Sequence, residues 1–147
     1  MITGNIIYFA YGSNMCPKQM SKRCPGGEAL GTAELHGWQF LINSRSYATI
    51  EAKVNSITHG VLWSLTTDHI TILDEYEAVA EGMYYKKEMK VLREGKSIEA
   101  LVYVDPVCEK GLPKTKYIRS ILDGAKYFNL PTGYIVQLEK EWGKLPD

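Results

Sequence analysis

The stretch Asn5-Ile6-Ile7-Tyr8-Phe9-Ala10-Tyr11-Gly12-Ser13-Asn14 decides how this chain begins to fold. Residues 5–11 are β-formers and read as a buried strand. Gly12-Ser13-Asn14 ends that strand sharply, because Gly and Asn tolerate turn geometry. A turn of this kind can aim successive backbone N–H groups at one point and form an anion-binding concavity. Gly12 lets a ligand approach the main chain closely. Taken in isolation the segment is best read as an ordinary strand-ending turn. It is not a P-loop, since no Gly-Lys-Ser/Thr follows, and not a nucleophile elbow, since Gly-x-Ser-x-Gly is missing.

Outward from this strand, residues 16–27 read as a short helix or loop. Leu30 to Ser44 has strand character, with Gly31 and Gly37 as bends or bulges. Residues 45–57 read as a polar loop, and Gly60 to Leu65 as another strand. Thr66 and Thr67 are N-cap candidates for a helix over 68–79 that Gly82 breaks. Tyr84 to Arg93 and Ile98 to Asp105 read as strands joined by a turn at Glu94-Gly95-Lys96. A loop over 106–114 leads to a helix at 115–127 with Ile118, Ile121, Leu122 and Ala125 on one face. After Asn129-Leu130-Pro131, Thr132 starts a last helix in which Tyr134, Ile135, Leu138 and Trp142 share a face. No repeat or linker interrupts the pattern, so one α+β domain over residues 1–147 is expected.

The balance is that of an ordinary globular chain: 45% hydrophobic, 23% charged, with 17 basic and 17 acidic residues. No basic run marks a nucleic-acid or anionic-membrane surface, and no apolar stretch approaches a bilayer span. The expected partner is a small molecule, with neither nucleic acid nor membrane involved. Three cysteines at unrelated spacing do not form a disulfide framework. With no leader pattern at the start, they point to the cytoplasm. Nothing decides between monomer and homodimer.

Three places bear on chemistry. In Leu73-Asp74-Glu75-Tyr76-Glu77, helical spacing puts Glu77 on the face of Ile70 and Leu73, while Glu75 faces elsewhere. A carboxylate on an apolar face is costly unless paired or useful. Spacing alone leaves a second reading standing, with Glu77 near the helix end and bridged to Lys86 or Lys87. Tyr117 lies at the edge of an apolar stripe and by spacing reads as packing with its hydroxyl at the surface. The scattered His36, His59 and His69 show no metal-ligand spacing. Cys16 and Cys24 read as structural. No metal or other cofactor is called for.

Together these segments resemble the γ-glutamylcyclotransferase family in its AIG2-like branch. The resemblance rests on Tyr8 to Asn14, His59-Gly60-Val61-Leu62-Trp63, Leu73 to Glu77, Gly82-Met83-Tyr84, Tyr117, Gly124-Ala125-Lys126 and Leu130-Pro131, in that order. It implies a small mixed-strand β-barrel flanked by helices. It also implies that Tyr8, Phe9, Ala10, Tyr11, Gly12, Ser13 and Asn14 bind a γ-glutamyl group. Glu77 would be the acid/base, and Tyr117 a further substrate contact. The implied reaction releases 5-oxoproline by attack of the substrate's own α-amino group. Burial beside Ile70 and Leu73 should raise the pKa of Glu77 and suit it to that proton transfer. Residues 45–57 and 106–114 align poorly with the family and are expected to set the leaving group. Rival expectations are an enzyme acting on γ-glutamylamines or a γ-glutamylated carrier protein, and a non-catalytic module binding an anionic metabolite.

Overall fold

The computed structural model describes residues 5–143. Five strands, β1 (Ile6–Ala10), β2 (Glu28–Ile42), β3 (Ala48–Leu65), β4 (Tyr85–Arg93) and β5 (Lys96–Val104), close into a barrel in the order β1-β3-β2-β4-β5. All pairings are antiparallel except β1 with β5, where Tyr8 meets Leu101. Four helices surround it: α1 (Pro17–Arg23), α2 (Thr67–Tyr76), α3 (Thr115–Tyr127) and α4 (Thr132–Trp142). The expected mixed-strand barrel flanked by helices is the observed one. None of these helices is long and apolar enough to cross a membrane.

β1 sits between β3 and β5 with Phe9, Ala10 and Tyr8 all buried. Its neighbour Gly60 on β3 has no room for a side chain. A Cβ there would lie 2.4 Å from the Ala10 carbonyl oxygen and 2.8 Å from the Phe9 ring. That close approach accounts for glycine after His59. β2 carries two irregularities, between Ala29 and Gly31 and between His36 and Trp38. They fall at the two glycines read as bends and let one long strand curve around the barrel.

The reading of 45–57 as a loop is wrong. The turn is confined to about 43–47, and β3 starts at Ala48, pairing Ala48 through Ala52 with Ile42 through Trp38. Lys53, Val54 and Asn55 are exposed and lie at the irregularity between the pairs Ala52–Trp38 and Ile57–His36. Ala48, Thr49 and Ile50 before them are buried in succession, so no apolar alternation reveals the strand, and the pairing of Ala48 through Ala52 is what defines it.

α3 buries Ile118, Ile121 and Ala125, with Leu122 only partly covered. It also buries Gly124, where a Cβ would lie 2.7–2.8 Å from the Met15 and Cys16 backbone. This glycine brings α3 down onto the turn that follows β1, which becomes one wall of the site. On α4 the packing is carried by Leu138 and Trp142, with Trp142 edge-on to Phe40 at 6.5 Å.

Candidate active site

Glu77 stands at the end of α2, two residues short of the expected helix terminus at Val79. The helix start conforms to expectation. Thr66 caps it, its hydroxyl accepting from the His69 amide at 3.2 Å while His69 Nδ1 accepts from the Thr66 amide at 3.1 Å. The end is a Schellman motif. Ala78 N–H donates to the Glu75 carbonyl at 3.1 Å and Val79 N–H to the Asp74 carbonyl at 3.0 Å. Ala78 holds the left-handed position at φ 50°. Glycine is usual there, so the stop signal was hidden. The motif leaves Glu77 as the C-cap, its side chain turned toward the barrel mouth, while Glu75 is exposed. The alternative pairing with Lys86 does not occur, since Lys86 Nζ bridges Asp74 at 2.9 Å.

The turn after β1 forms the opposite wall. Ser13–Met15 is a single 3-10 turn, closed by the Met15 amide donating to the Gly12 carbonyl at 3.0 Å. The amides of Ser13 and Asn14 precede the first intraturn bond and have no acceptor within the turn. A Cβ on Gly12 would meet Ala48 Cβ at 3.2 Å and lie 3.8 Å from the Tyr117 hydroxyl. Asn14 is buried and fully engaged. Its Nδ2 donates to Tyr8 Oη at 3.0 Å, and its Oδ1 accepts from Arg23 at 3.0 Å and Gln19 at 3.2 Å.

Between these walls lies a recess of about 30 Å³ lined by Tyr8, Tyr11, Gly12, Ser13, Asn14, Ala48, Glu77, Tyr84, Tyr103 and Tyr117. It adjoins an outer hollow of about 180 Å³, with Ser13, Glu77, Tyr84 and Tyr117 lining both. Phe9 and Ala10 do not line it. The alternation of β1 sends the Phe9 ring into the core against Gly60, and Ala10 presents only its packed methyl. Larger hollows exist, such as one of about 540 Å³ lined in part by His36 and His59. It lacks the combination of a partly buried carboxylate and convergent donors. No group of three or more His, Cys, Asp or Glu side chains among the described residues is arranged to hold a metal ion.

The five tyrosine hydroxyls divide by what happens to their protons. Tyr11 donates to the Tyr103 carbonyl at 2.6 Å, Tyr84 to the Ala48 carbonyl at 2.7 Å, and Tyr103 to Asp74 at 2.7 Å. Tyr8 and Tyr117 act as acceptors instead, from Asn14 Nδ2 and from the Ala48 amide at 2.9 Å. Their own protons stay available to a ligand. Burial pushes all five hydroxyls up, so they remain protonated donors at neutral pH.

Among the described residues Glu77 is the one carboxylate in the recess wall. Burial raises its pKa from 4.5 to about 7, with Arg23 opposing and buried Asp105 reinforcing the shift. The carbonyl end of α2 acts in the same direction. A carboxyl group poised near neutrality can take and return a proton, and the free hydroxyl protons of Tyr8 and Tyr117 beside it can stabilise a developing oxyanion.

Sequence reasoning missed Ala48, Tyr84 and Tyr103 in the recess and Arg23 beside it. Tyr84 follows Gly82-Met83 and was visible as a motif without a role. Ala48 lay in the misread loop. Tyr103 sits in an apolar strand where nothing marks an inward hydroxyl. Arg23 ends α1 and has no sequence neighbour that points to the recess.

A family model described as the AIG2-like family matches residues 57–138. The chain is 32% identical over 146 residues to a human protein named gamma-glutamylcyclotransferase, covering 92% of this chain and 78% of that one. A solved structure described as gamma-glutamyl cyclotransferase superposes with TM-score 0.86 at 28% identity, covering 97% of this chain and 94% of that chain. A human protein described as uncharacterized superposes with TM-score 0.89 at 29% identity, covering 99% and 93%.

Proposed function

Because the chain belongs to the AIG2-like family of γ-glutamylcyclotransferases, we propose that it cleaves a γ-glutamyl amide by intramolecular cyclisation, with Glu77 as the proton shuttle. The observation that carries this reading is Glu77 itself. It is a partly buried carboxylate with a pKa near 7, in one recess with Ser13, Asn14 and the free hydroxyl protons of Tyr8 and Tyr117.

The γ-glutamyl group bends so that its α-nitrogen reaches the γ-carbonyl carbon. Holding that conformer recovers up to about 7–11 kcal/mol of the barrier, as for other oriented intramolecular attacks. No protein nucleophile is needed. Glu77 first takes a proton from the α-ammonium, and the amine so formed attacks. The new bond joins the α-nitrogen to the γ-carbon, and the bond to the leaving nitrogen breaks. Glu77 gives its proton to that nitrogen as it departs, then relays the second proton lost by the ring nitrogen, so the products are 5-oxoproline and an ammonium. The oxyanion is met by the Ser13 and Asn14 amides, with Tyr8 and Tyr117 as further donors to oxyanion or α-carboxylate.

The inner recess is too narrow for the whole group, so the reacting atoms sit there and the leaving portion extends into the outer hollow. The oligomeric state does not enter this scheme. Three unpaired cysteines fit a reducing cytoplasm as the place of work.

The test is a panel of γ-glutamyl dipeptides and γ-glutamylamines, with 5-oxoproline followed by mass spectrometry. Release from at least one member is expected; release from none would overturn the reading.

A further inference from the structure

The outer hollow leads into a third one of about 280 Å³, and Ser13 and Tyr117 line all three. The third hollow carries Arg23, Lys114 and Lys116 and, among the described residues, no carboxylate. In a chain whose formal charge is zero, three cations around one hollow, with Glu77 in the adjoining one as their nearest lining carboxylate among the described residues, form a local excess. Among the described residues none of the three is in an ion pair. Glu77 is the single carboxylate lining the hollow between this excess and the recess.

Resting on the cyclisation reading above, we infer that the leaving portion of the substrate carries more than one negative charge. The substrate class is γ-glutamyl conjugates of acidic amino acids, selected by Arg23, Lys114 and Lys116.

Arg23 is the fixed member. Its Nη1 donates to Asn14 Oδ1 at 3.0 Å and its guanidinium lies 4.3 Å from the centre of the Tyr76 ring. A guanidinium has five in-plane N–H donors and Asn14 takes one, so donors at its edge remain for a carboxylate. Lys114 and Lys116 are exposed and supply compact charges beside Tyr117. The hydroxyls of Ser13, Ser46 and Ser120 add uncharged donors. A neutral amine would engage none of the three cations, and a single α-carboxylate would engage one site. A second carboxylate uses the rest. Ser46, Tyr47 and Lys114 belong to the two connecting segments that align poorly with the family, which suits a specificity of this chain's own.

The experiment compares γ-glutamyl-glutamate with its neutral isostere γ-glutamyl-glutamine. In the wild type, kcat/KM is expected to favour the glutamate conjugate by about fivefold at low ionic strength, the scale of well-placed exposed charge pairs. Added salt should erode the ratio. In the Lys114→Gln/Lys116→Gln double variant the ratio should fall to about one. Titration calorimetry of both dipeptides against Glu77→Gln reads the same preference without turnover. Failure of cyclisation therefore leaves the selectivity decided by the binding ratio. A wild-type ratio at or below one, or a ratio unchanged in the double variant, overturns the inference.

Discussion

The amide of Ala48 donates to the Tyr117 hydroxyl at 2.9 Å, joining the first residue of β3 to the first turn of α3. The Ala48 carbonyl is held from the other side by Tyr84 at 2.7 Å. One buried peptide position is thus clamped between two tyrosines of the site, and the clamp sets the distance between α3 and the barrel mouth. It also dictates that the Tyr117 proton points away from Ala48. Replacing Tyr117 by Phe removes that ligand donor and leaves a buried amide unpaired, a loss of about 1–3 kcal/mol in stability. Urea titration should register the loss, and kcat/KM should fall with it. Unchanged stability in Tyr117→Phe would mean that the clamp is not formed in solution.

The pH behaviour of Glu77 has a defined sign. Its pKa in the folded chain is about 7, against an ordinary 4.5. The native state therefore binds the proton more tightly than the unfolded state, and the stability so contributed is lost as pH rises through this window. Glu77→Gln carries no such charge. It should be more stable than the wild type at pH 8, by roughly 1–3 kcal/mol, with the gain shrinking toward pH 5. Activity runs the opposite way: the basic form of Glu77 fills as pH passes about 7, so kcat/KM should climb across neutrality. Melting temperatures at the two pH values and a pH–rate profile check both signs.

Ala78 carries strain next to the shuttle. A non-glycine residue in the left-handed region costs roughly 1–2 kcal/mol, and Ala78 sits there at φ 50° to complete the helix stop that presents Glu77. Ala78→Gly should raise stability by about 1 kcal/mol relative to wild type. Chemical denaturation with an unchanged m-value is the measurement. A loss of stability would show that the methyl's packing outweighs the strain.

The strands and helices that bury one face were readable from periodicity, because the barrel core and the apolar stripe of α3 impose it. The glycine turn after β1 was readable from residue chemistry, and the inward face of Glu77 from its spacing to Ile70 and Leu73. What escaped reading has physical causes. Ala48, Thr49 and Ile50 are buried in succession and residues 52–55 exposed in succession, so no period-two pattern marks this part of β3. The end of α2 uses alanine where glycine is the signal. Tyr84, Tyr103 and Arg23 reach the recess through tertiary contacts at long sequence separation, for which a single chain offers no local sign. Phe9 and Ala10 belong to the motif without reaching the recess, and strand alternation already separates Phe9 from Tyr8.

The most direct test of the account compares Glu77→Gln with Glu75→Gln in single-turnover release of 5-oxoproline from a γ-glutamyl dipeptide. Glu77 lines the recess and Glu75 faces solvent. The account predicts that Glu77→Gln retains its fold by circular dichroism and loses nearly all turnover, while Glu75→Gln stays close to wild type. A folded Glu77→Gln enzyme keeping more than about a tenth of the wild-type rate, where loss of a general base typically removes 10²–10⁴-fold, would contradict it.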